Sequence, residues 1–209
     1  MFLQIPQDII FIGDKGDNMI QTLYDKFKGW SERGEIFITS DTHFYDSDRE
    51  FMGYNFSETD QITSLKKITK NDTWICLGDI GDTGVLETIW KPYKKPHAVL
   101  LTGNHDKKDA NILKFFDEVY DGPLFISDRI VLSHEPLILG DSFLNIHGHD
   151  HSGVEPHGDH ALNLAANVYG IEPFRLGAEI KNGLLAGIEN YHRTTIDKAT
   201  ERKKEKANV

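Results

Sequence analysis

The chain has 209 residues with a formal net charge of −10, and 39% of its residues are hydrophobic while 27% are charged. This length is enough for one substantial domain, and the composition is ordinary for a globular protein. The acidic balance disfavours binding to duplex DNA or anionic membranes unless a local basic patch or a bound metal overrides it. No apolar run reaches the ~20 residues that span a bilayer, so we expect no membrane insertion.

The N-terminal segment MFLQIPQDIIFIG lacks a basic region and a small-residue cleavage site, so we interpret it as folded structure and not as a signal peptide. Cys76 is the only cysteine, which excludes an internal disulfide. Both features favour a cytoplasmic protein. We expect a single domain over residues 1–192, with residues 1–34 packed on it as an N-terminal extension. The charged tail over residues 193–209 should be a solvated helix or disordered.

One sequence pattern repeats along the chain. It starts after a predicted strand at Ile9–Ile12 and a predicted helix around residues 18–30. A short, β-branched run of strand length ends in a polar residue that can bind metal. The five runs cover residues 36–40, 74–78, 98–103, 130–133 and 144–146. The residues that follow them are Asp41, Asp79, Asn104, His134 and the tripeptide His147-Gly148-His149.

Helix-like segments separate these runs, and they cover residues 57–69, 84–90 and 108–116. Two further strands are predicted at residues 162–169 and 184–188. Alternation of strands and helices argues for an α/β fold. Ligands of open α/β sheets bind at the carboxyl ends of the strands, so the polar residues should meet at one edge.

The side chains expected at that edge are carboxylates, an amide and several of the ten histidines, with no thiolate. Such nitrogen and oxygen ligands suit Mn, Fe, Ni, Co or Zn better than Ca or Cu(I). The candidate ligands are Asp41, His43, Asp79, Asn104, His134, His149 and His151. This set is too large for one tetrahedral ion but fits two ions about 3.5–4 Å apart that share a bridging carboxylate. Two divalent ions would leave the site cationic, which favours an anionic substrate such as a phosphate ester.

The order of these residues resembles the calcineurin-like metallophosphoesterase superfamily, most closely its small bacterial and phage-borne members. The matching blocks are Asp41-x-His43, Gly78-Asp79, Gly103-Asn104-His105-Asp106, His134 and Gly148-His149-x-His151. Each block alone is a weak signal, whereas five blocks in the family's order are specific. The resemblance implies a four-layer αββα sandwich, in which two mixed β-sheets pack face to face and helices flank them.

The resemblance also implies a role for each matching residue. One trio would hold the first metal: Asp41, His43 and His151. A second trio would hold the second metal: Asn104, His134 and His149. Asp79 would bridge the two ions. His105 would bind no metal, but it would contact the phosphate and protonate the leaving alkoxide, with Asp106 orienting its ring. Manganese is the ion we favour, and Fe, Ni, Zn and Co are alternatives.

These features predict hydrolysis of a phosphomonoester or phosphodiester by in-line attack of a metal-bridging hydroxide, formed because the metals lower the pKa of water to about 7. His105 as general acid would contribute ~10²–10⁴-fold. Two alternatives stay open: an inactive scaffold with this fold, and a nuclease or nucleotide phosphodiesterase with the same site. The retained His105 disfavours the scaffold. The acidic charge, without a clear basic and aromatic groove, argues against long nucleic acid and favours a small phosphoester.

Several neighbouring residues have open interpretations. His147 shares a face with His149 if the strand continues past Gly148, and we favour a supporting or core role over direct ligation. Asp82 is interpreted as a support for the ligands or a helix cap. The aromatic-rich stretch 44–56 either packs on the sheet edge or forms a wall for the leaving group.

Overall fold

A computed structural model describes residues 21–91, 94–106, 110–154 and 160–207. Strands and helices alternate along these ranges. In chain order the elements are β1 (Gln21–Thr22), α1 (Tyr24–Arg33), β2 (Ile36–Thr39), α2 (Glu58–Leu65), β3 (Thr73–Cys76), α3 (Gly84–Trp90), β4 (His97–Leu101), α4 (Ala110–Phe115), β5 (Glu118–Tyr120), β6 (Leu124–Phe125), β7 (Ile130–Leu132), β8 (Leu144–His147), β9 (Ala161–Asn163), α5 (Ala166–Tyr169), β10 (Phe174–Arg175), α6 (Leu176–Lys181) and α7 (Tyr191–Ala207). A short 3₁₀ helix, Ser47–Glu50, precedes α2.

The described strands form two mixed sheets of five strands each. Sheet I has the order β10-β2-β3-β4-β5, and its strands are parallel except that β10 runs antiparallel to β2. Sheet II has the order β1-β6-β7-β8-β9, in which only β6 and β7 are antiparallel. The prediction of an α/β fold with two mixed sheets and flanking helices is therefore confirmed.

Two apolar clusters bury the two faces of sheet I. One cluster joins inward side chains of both sheets, such as Ile75 and Val99 of sheet I with Leu132 and Ile146 of sheet II. Side chains of a strand alternate between faces, so the neighbouring residues of β3 and β4 point the other way. They pack against residues of α2, α3 and α4 in the second cluster. Burial on both faces explains why the strands of sheet I are continuously apolar.

The parallel register of sheet I brings three strand ends to one edge. Thr39 pairs with Cys76, and Cys76 pairs with Leu100, so β2, β3 and β4 end at nearly the same level. At this edge an isolated bridge joins Ser40, directly after β2, to Ala165, which follows β9 of sheet II. The loops that follow the strands of both sheets therefore converge there.

Three predicted elements differ from the structure. The strand predicted at residues 184–188 is wrong, because this apolar run forms consecutive turns after α6. Ile188, at the end of these turns, is buried. The strand predicted at residues 162–169 is correct only at its start, because the Asn163 side chain accepts the Ala165 amide and α5 follows. The helix predicted around residues 18–30 begins at Tyr24, after β1. The strand predicted at Ile9–Ile12 lies outside the described residues.

The C-terminal helix α7 carries most of the charged tail, and almost all of its described side chains are exposed. A solvated helix was one of the two expected forms of this tail. The domain limit at residue 192 and the packing of residues 1–34 stay predictions. Within the described ranges, no helix combines the length and apolar character needed to cross a membrane.

Candidate metal centre

The loops at the shared edge bring the seven predicted ligands together. Sheet I delivers Asp41 and His43 after β2, Asp79 after β3 and Asn104 after β4. Sheet II delivers the remaining three ligands: His134 after β7, then His149 and His151 after β8. The centre thus lies across the seam between the two sheets.

Backbone strain is concentrated at this centre. Within the described ranges, five residues other than glycine have a positive φ, and four of them are predicted ligands: Asp41 (50°), His43 (41°), Asp79 (52°) and His149 (65°). Such conformations cost of order 1–3 kcal/mol each and persist only where the surroundings hold them. Backbone hydrogen bonds do so here, from the Asp41 amide to Gly78 (2.9 Å) and from the His43 amide to Asp79 (3.0 Å).

Glycines allow the loops to approach one another closely. A Cβ atom built at Gly148 would overlap the Ser40 Oγ and Asp41 Oδ2 atoms. A Cβ atom at Gly103 would overlap the Asp79 carboxylate in the same way. The glycines of the two motif blocks therefore serve close packing around the carboxylates.

The candidate ligands form two groups. Group 1 contains Asp41, His43 and His151, and group 2 contains Asp79, His134 and His149; within each group the ligand atoms lie within 4.8 Å of one another. Asp79 Oδ2 lies 3.3 Å from His134 Nε2 and 3.7 Å from His43 Nε2, so this carboxylate stands between the groups. The structure thus has the donor arrangement of a dinuclear metal site.

Asn104 adds an amide oxygen to group 2. Its Oδ1 atom lies 2.9 Å from His134 Nε2 and 3.0 Å from His149 Nδ1. Asn104 is exposed, whereas Asp79 is 1% and His134 is 7% exposed, so this amide forms the solvent side of the group.

Two buried atoms of group 1 have no hydrogen-bond partner among the described residues. Asp41 Oδ1 and His43 Nε2 are inaccessible to solvent, make no hydrogen bond, and lie 4.0 Å apart. Leaving buried polar atoms unpaired costs ~1–3 kcal/mol each, so such atoms call for a partner. A cation between them would supply one, and these residues therefore fit a bound metal.

The histidine tautomers also fit metal binding. The Nδ1 atom of His134 lies 2.8 Å from the Leu77 carbonyl, which can only accept, so Nδ1 carries the proton. The Nδ1 atom of His43 faces the Asp46 carboxylate at 2.9 Å in the same manner. Nε2 is then the atom directed at the centre, and it would offer its lone pair to a metal ion that displaces its proton, as in many metal sites in which a second contact orients the histidine.

The electrostatic environment of the centre favours cations. Burial would lower the pKa of His134, but its hydrogen bond to Asp79 and the charges of Asp41 and Asp79 raise the pKa to about 9. The two carboxylates thus create a negative potential that a divalent metal pair would neutralise. Oxygen and nitrogen donors without sulfur match divalent transition metals.

His105 and Asp106 lie next to the groups without belonging to them. The His105 ring is exposed and edge-on to the His43 ring at a centroid distance of 5.4 Å, and its backbone amide donates to Asp79 Oδ1 (2.9 Å). The Asp106 carboxylate accepts the backbone amides of Asp79, Ile80 and Gly103 at 2.8–3.0 Å. No hydrogen bond joins Asp106 to the His105 ring among the described contacts, so an orienting role would act through the backbone.

His147 and Asp82 have different environments. His147 is fully buried at the end of β8, its Nδ1 atom lies 2.8 Å from the Gly148 carbonyl oxygen, and it belongs to neither group. Asp82 is exposed, and its Oδ1 atom accepts the Gly84 amide (2.8 Å) at the start of α3. These positions suit the supporting role expected for His147 and the helix-cap interpretation of Asp82.

Sequence reasoning missed Asn167, which lies on α5. Its Nδ2 atom donates to the Met52 and His151 carbonyls, which turns Oδ1 toward His151 Nδ1 at 2.7 Å. This contact leaves His151 Nε2 as the atom that faces Asp41, at 3.6 Å from Oδ1. No local pattern marks Asn167, because its role arises only when α5 packs beside the 151 loop.

The aromatic loop, residues 44–56, packs against group 1. The Tyr54 hydroxyl donates to the Asp41 carbonyl, and its ring lies 6.3 Å from that of His43 and 6.1 Å from that of His151. The Arg49 guanidinium stacks on Tyr54 at 4.1 Å. Tyr45 and Phe51 stay 62% and 85% exposed on the rim, so the loop both covers group 1 and presents apolar surface to solvent.

This fold, with two candidate ligand groups at one edge, fits the class of the metallophosphoesterases. The family model of the calcineurin-like phosphoesterases matches residues 34–180, and the chain belongs to this family. No curated protein matches the chain in sequence.

Two solved structures resemble the chain. A protein of unknown function from Aquifex aeolicus has a TM-score of 0.55 at 24% identity, over 70% of this chain and 98% of that one. This likeness shows the shared fold. A nuclease from Pseudomonas putida has a TM-score of 0.40 at 22% identity, over 57% of this chain and 61% of that one.

Proposed function

We propose that this protein hydrolyses phosphomonoesters or phosphodiesters with a pair of divalent transition-metal ions. The observation that carries the proposal is the pair of adjoining ligand groups around Asp79, with two buried donor atoms of group 1 that have no hydrogen-bond partner among the described residues. Bound ions would lower the pKa of water to about 7 and neutralise charge on the phosphoryl oxygens.

Seven side chains of the protein would bind the two ions. Asp41, His43 and His151 would hold one ion, and Asn104, His134 and His149 would hold the other. Asp79 would bind both, because its Oδ2 atom lies within 4 Å of a histidine from each group. Manganese is the ion we favour for this mixture of carboxylate, amide and imidazole, with Fe, Ni, Zn or Co as alternatives.

His105 supports an enzyme over an inactive scaffold. Its imidazole is exposed beside the centre and takes no part in either ligand group, so it is free to contact a bound ester. A protonated imidazole there would donate its proton to the leaving alkoxide oxygen. The hydrogen bond from its backbone amide to Asp79 keeps this residue next to the reacting phosphate.

The proposed substrate is a small phosphoester. A net charge of −10 favours neither long nucleic acid nor an anionic membrane as a partner. The single buried cysteine is compatible with the reducing conditions of the cytoplasm, where we propose that the protein works.

The test is a panel of monoesters and diesters assayed with protein reconstituted separately with Mn, Fe, Ni and Zn, with bound metal measured by elemental analysis. We expect two bound ions per chain and turnover of at least one ester class. Asp79→Asn should lose one or both ions and more than about 10³-fold in turnover, because it weakens the shared ligand. Asp25→Asn, the same change on the exposed surface of α1, is the matched control and should change neither.

Two results would contradict the proposal. Inactivity of the metal-loaded protein on the whole panel would support the scaffold alternative. Full activity of Asp79→Asn with two bound ions would refute the assignment of the site.

A further inference from the structure

A groove of about 310 Å³ opens beside group 2. Its lining contains Asn104 and His134, two of the proposed metal ligands. The lining also includes Gly122, Pro123, Glu135 and Leu137. The groove thus begins at the metal centre and leads away from it along the surface, with a volume that suits a small organic group.

The opposite side of the centre is covered. Asp41 and His43 are completely buried, and the Tyr54 ring lies against His43 and His151 while its hydroxyl bonds to the Asp41 backbone. Arg49 in turn stacks on Tyr54. A phosphate held between the two ligand groups therefore has open space on the side of Asn104 and the groove, and the exposed His105, the proposed proton donor, directly follows Asn104 in the chain.

Acidic side chains lie in and beside the lining of the groove. Glu135 is the one acidic side chain among the described residues that line it, and Glu135 is exposed without an ion-pair partner among the described residues. Asp121 adds a second carboxylate behind the wall, because it accepts a hydrogen bond from Thr102 Oγ1 (2.7 Å), and Thr102 lines the groove.

We propose that this groove receives the alcohol portion of the ester and that Glu135 selects among alcohols by charge. The inference rests on the proposed function. Esters whose alcohol portion is uncharged or cationic are accepted, and esters that carry a further negative charge there are disfavoured. A nucleic-acid strand would place its next phosphate in or near the groove, so the same carboxylate would also work against strands.

The test compares three aryl phosphates that differ in the charge of one substituent. The 4-carbamoylphenyl and 4-carboxyphenyl esters have nearly the same shape and differ by one negative charge, and the 4-(aminomethyl)phenyl ester carries a positive charge. The readout is the ratio of kcat/KM values within each variant. This ratio cancels general effects of a substitution on the centre.

In Glu135→Gln we expect the carboxy-to-carbamoyl ratio to rise roughly 3- to 10-fold over the wild type, as the loss of one solvent-exposed charge beside the alcohol portion predicts. The aminomethyl-to-carbamoyl ratio should fall by a similar factor. Glu135→Lys should move both ratios further in the same directions. Glu50→Gln removes the same charge from the aromatic loop, where Glu50 is exposed, and should leave both ratios at the wild-type values.

The two possible failures are distinguishable. Turnover of the carbamoyl ester with ratios that do not change in Glu135→Gln and Glu135→Lys would overturn the inference and leave the proposed function intact. A shift of equal size in Glu50→Gln would also overturn the inference, because the effect would then reflect net charge. Absence of turnover on all three esters by metal-loaded wild type, together with inactivity on the wider panel, would refute the proposed function itself.

Discussion

Near the amino-terminal edge of sheet I, both carboxylate oxygens of Glu118 have hydrogen-bond partners. At the opposite edge, the buried Oδ1 atom of Asp41 has no hydrogen-bond partner among the described residues. Trp30 and His97 donate to Glu118 Oε1 at 3.0 and 2.8 Å, and Lys26 donates to Oε2 at 2.8 Å, with the Tyr120 hydroxyl as a further donor. We call these five residues the amino-edge cluster.

The difference between the edges separates structural from functional polar groups. Burial would raise the pKa of Glu118, but the hydrogen bonds of His97, Lys26, Tyr120 and Trp30 outweigh it and hold the pKa well below its usual range. The cluster therefore ties α1 to β4 and β5. At the metal centre, unpaired atoms and positive φ angles cost stability, and such costs concentrate where a protein binds or reacts.

The largest effect in this comparison should be on turnover, and we expect it from His105→Ala at the metal centre. We expect turnover to fall ~10²–10⁴-fold, and most for a poor leaving group, because the leaving oxygen loses its proton donor. Elemental analysis should still find two bound ions. His192→Ala, an exposed histidine on α7, is the control. Loss of both ions in His105→Ala would show that His105 supports the metals and is no proton donor.

A smaller effect, on metal affinity, is expected from Asn167, which belongs to neither group but contacts the ligand His151. Asn167→Ala removes the acceptor that fixes the proton on His151 Nδ1, so Mn affinity should fall roughly 10- to 100-fold, as for other residues that orient metal-bound histidines. Metal titration of the purified protein measures this change, with the exposed Asn71→Ala as control. An affinity equal to that of the wild type would exclude an orienting role for Asn167.

The smallest effect should come from the amino-edge cluster. Glu118→Gln should lower the free energy of unfolding by about 2 kcal/mol at pH 7, because it weakens a largely buried charged network. Bound metal and turnover should not change. The exposed pair Glu87 and Lys114 offers a control, since Glu87→Gln should have little effect on stability.

The pH dependence of that loss follows from the direction of the pKa shift. The folded pKa of Glu118 lies below its unfolded value of about 4.3, so the stabilisation is complete above that pH and is lost as the pH falls. The difference between wild type and Glu118→Gln in denaturant unfolding should therefore shrink from pH 5 to pH 3. A constant difference across this range would show that the charge of Glu118 contributes nothing.

The parts of the fold that sequence could predict are those encoded locally. Each parallel strand near the centre is an apolar run that ends in a polar residue, and β2, β3, β4, β7 and β8 were all predicted this way. Strands β6 and β10 have two residues each and show no periodicity to detect. The apolar run at residues 184–188 has strand length and composition, but tertiary packing folds it into turns.

The candidate site divides in the same way. The proposed ligands lie at fixed positions after strands, so spacing identified them. Asn167, Asp46 and Tyr54 act on those ligands from α5 and the aromatic loop, and their contacts depend on how distant segments pack. The motif identified Asp106 but did not predict its contacts. Its carboxylate accepts backbone amides of two loops, whereas the motif led us to expect a contact with the His105 ring.

Each ligand group contains side chains that follow strands of both sheets, and metal binding there would change the lifetime of the protein. In group 1, His151 follows a strand of sheet II, while Asp41 and His43 follow a strand of sheet I. In group 2, His134 follows a strand of sheet II and Asp79 follows a strand of sheet I. An ion bound to either group would resist separation of the sheets, so open chains become rarer as free metal rises. Proteases cleave chains in proportion to the open fraction when opening and closing are fast. Metal scarcity would then reduce the number of copies in the cell as well as the activity of each copy.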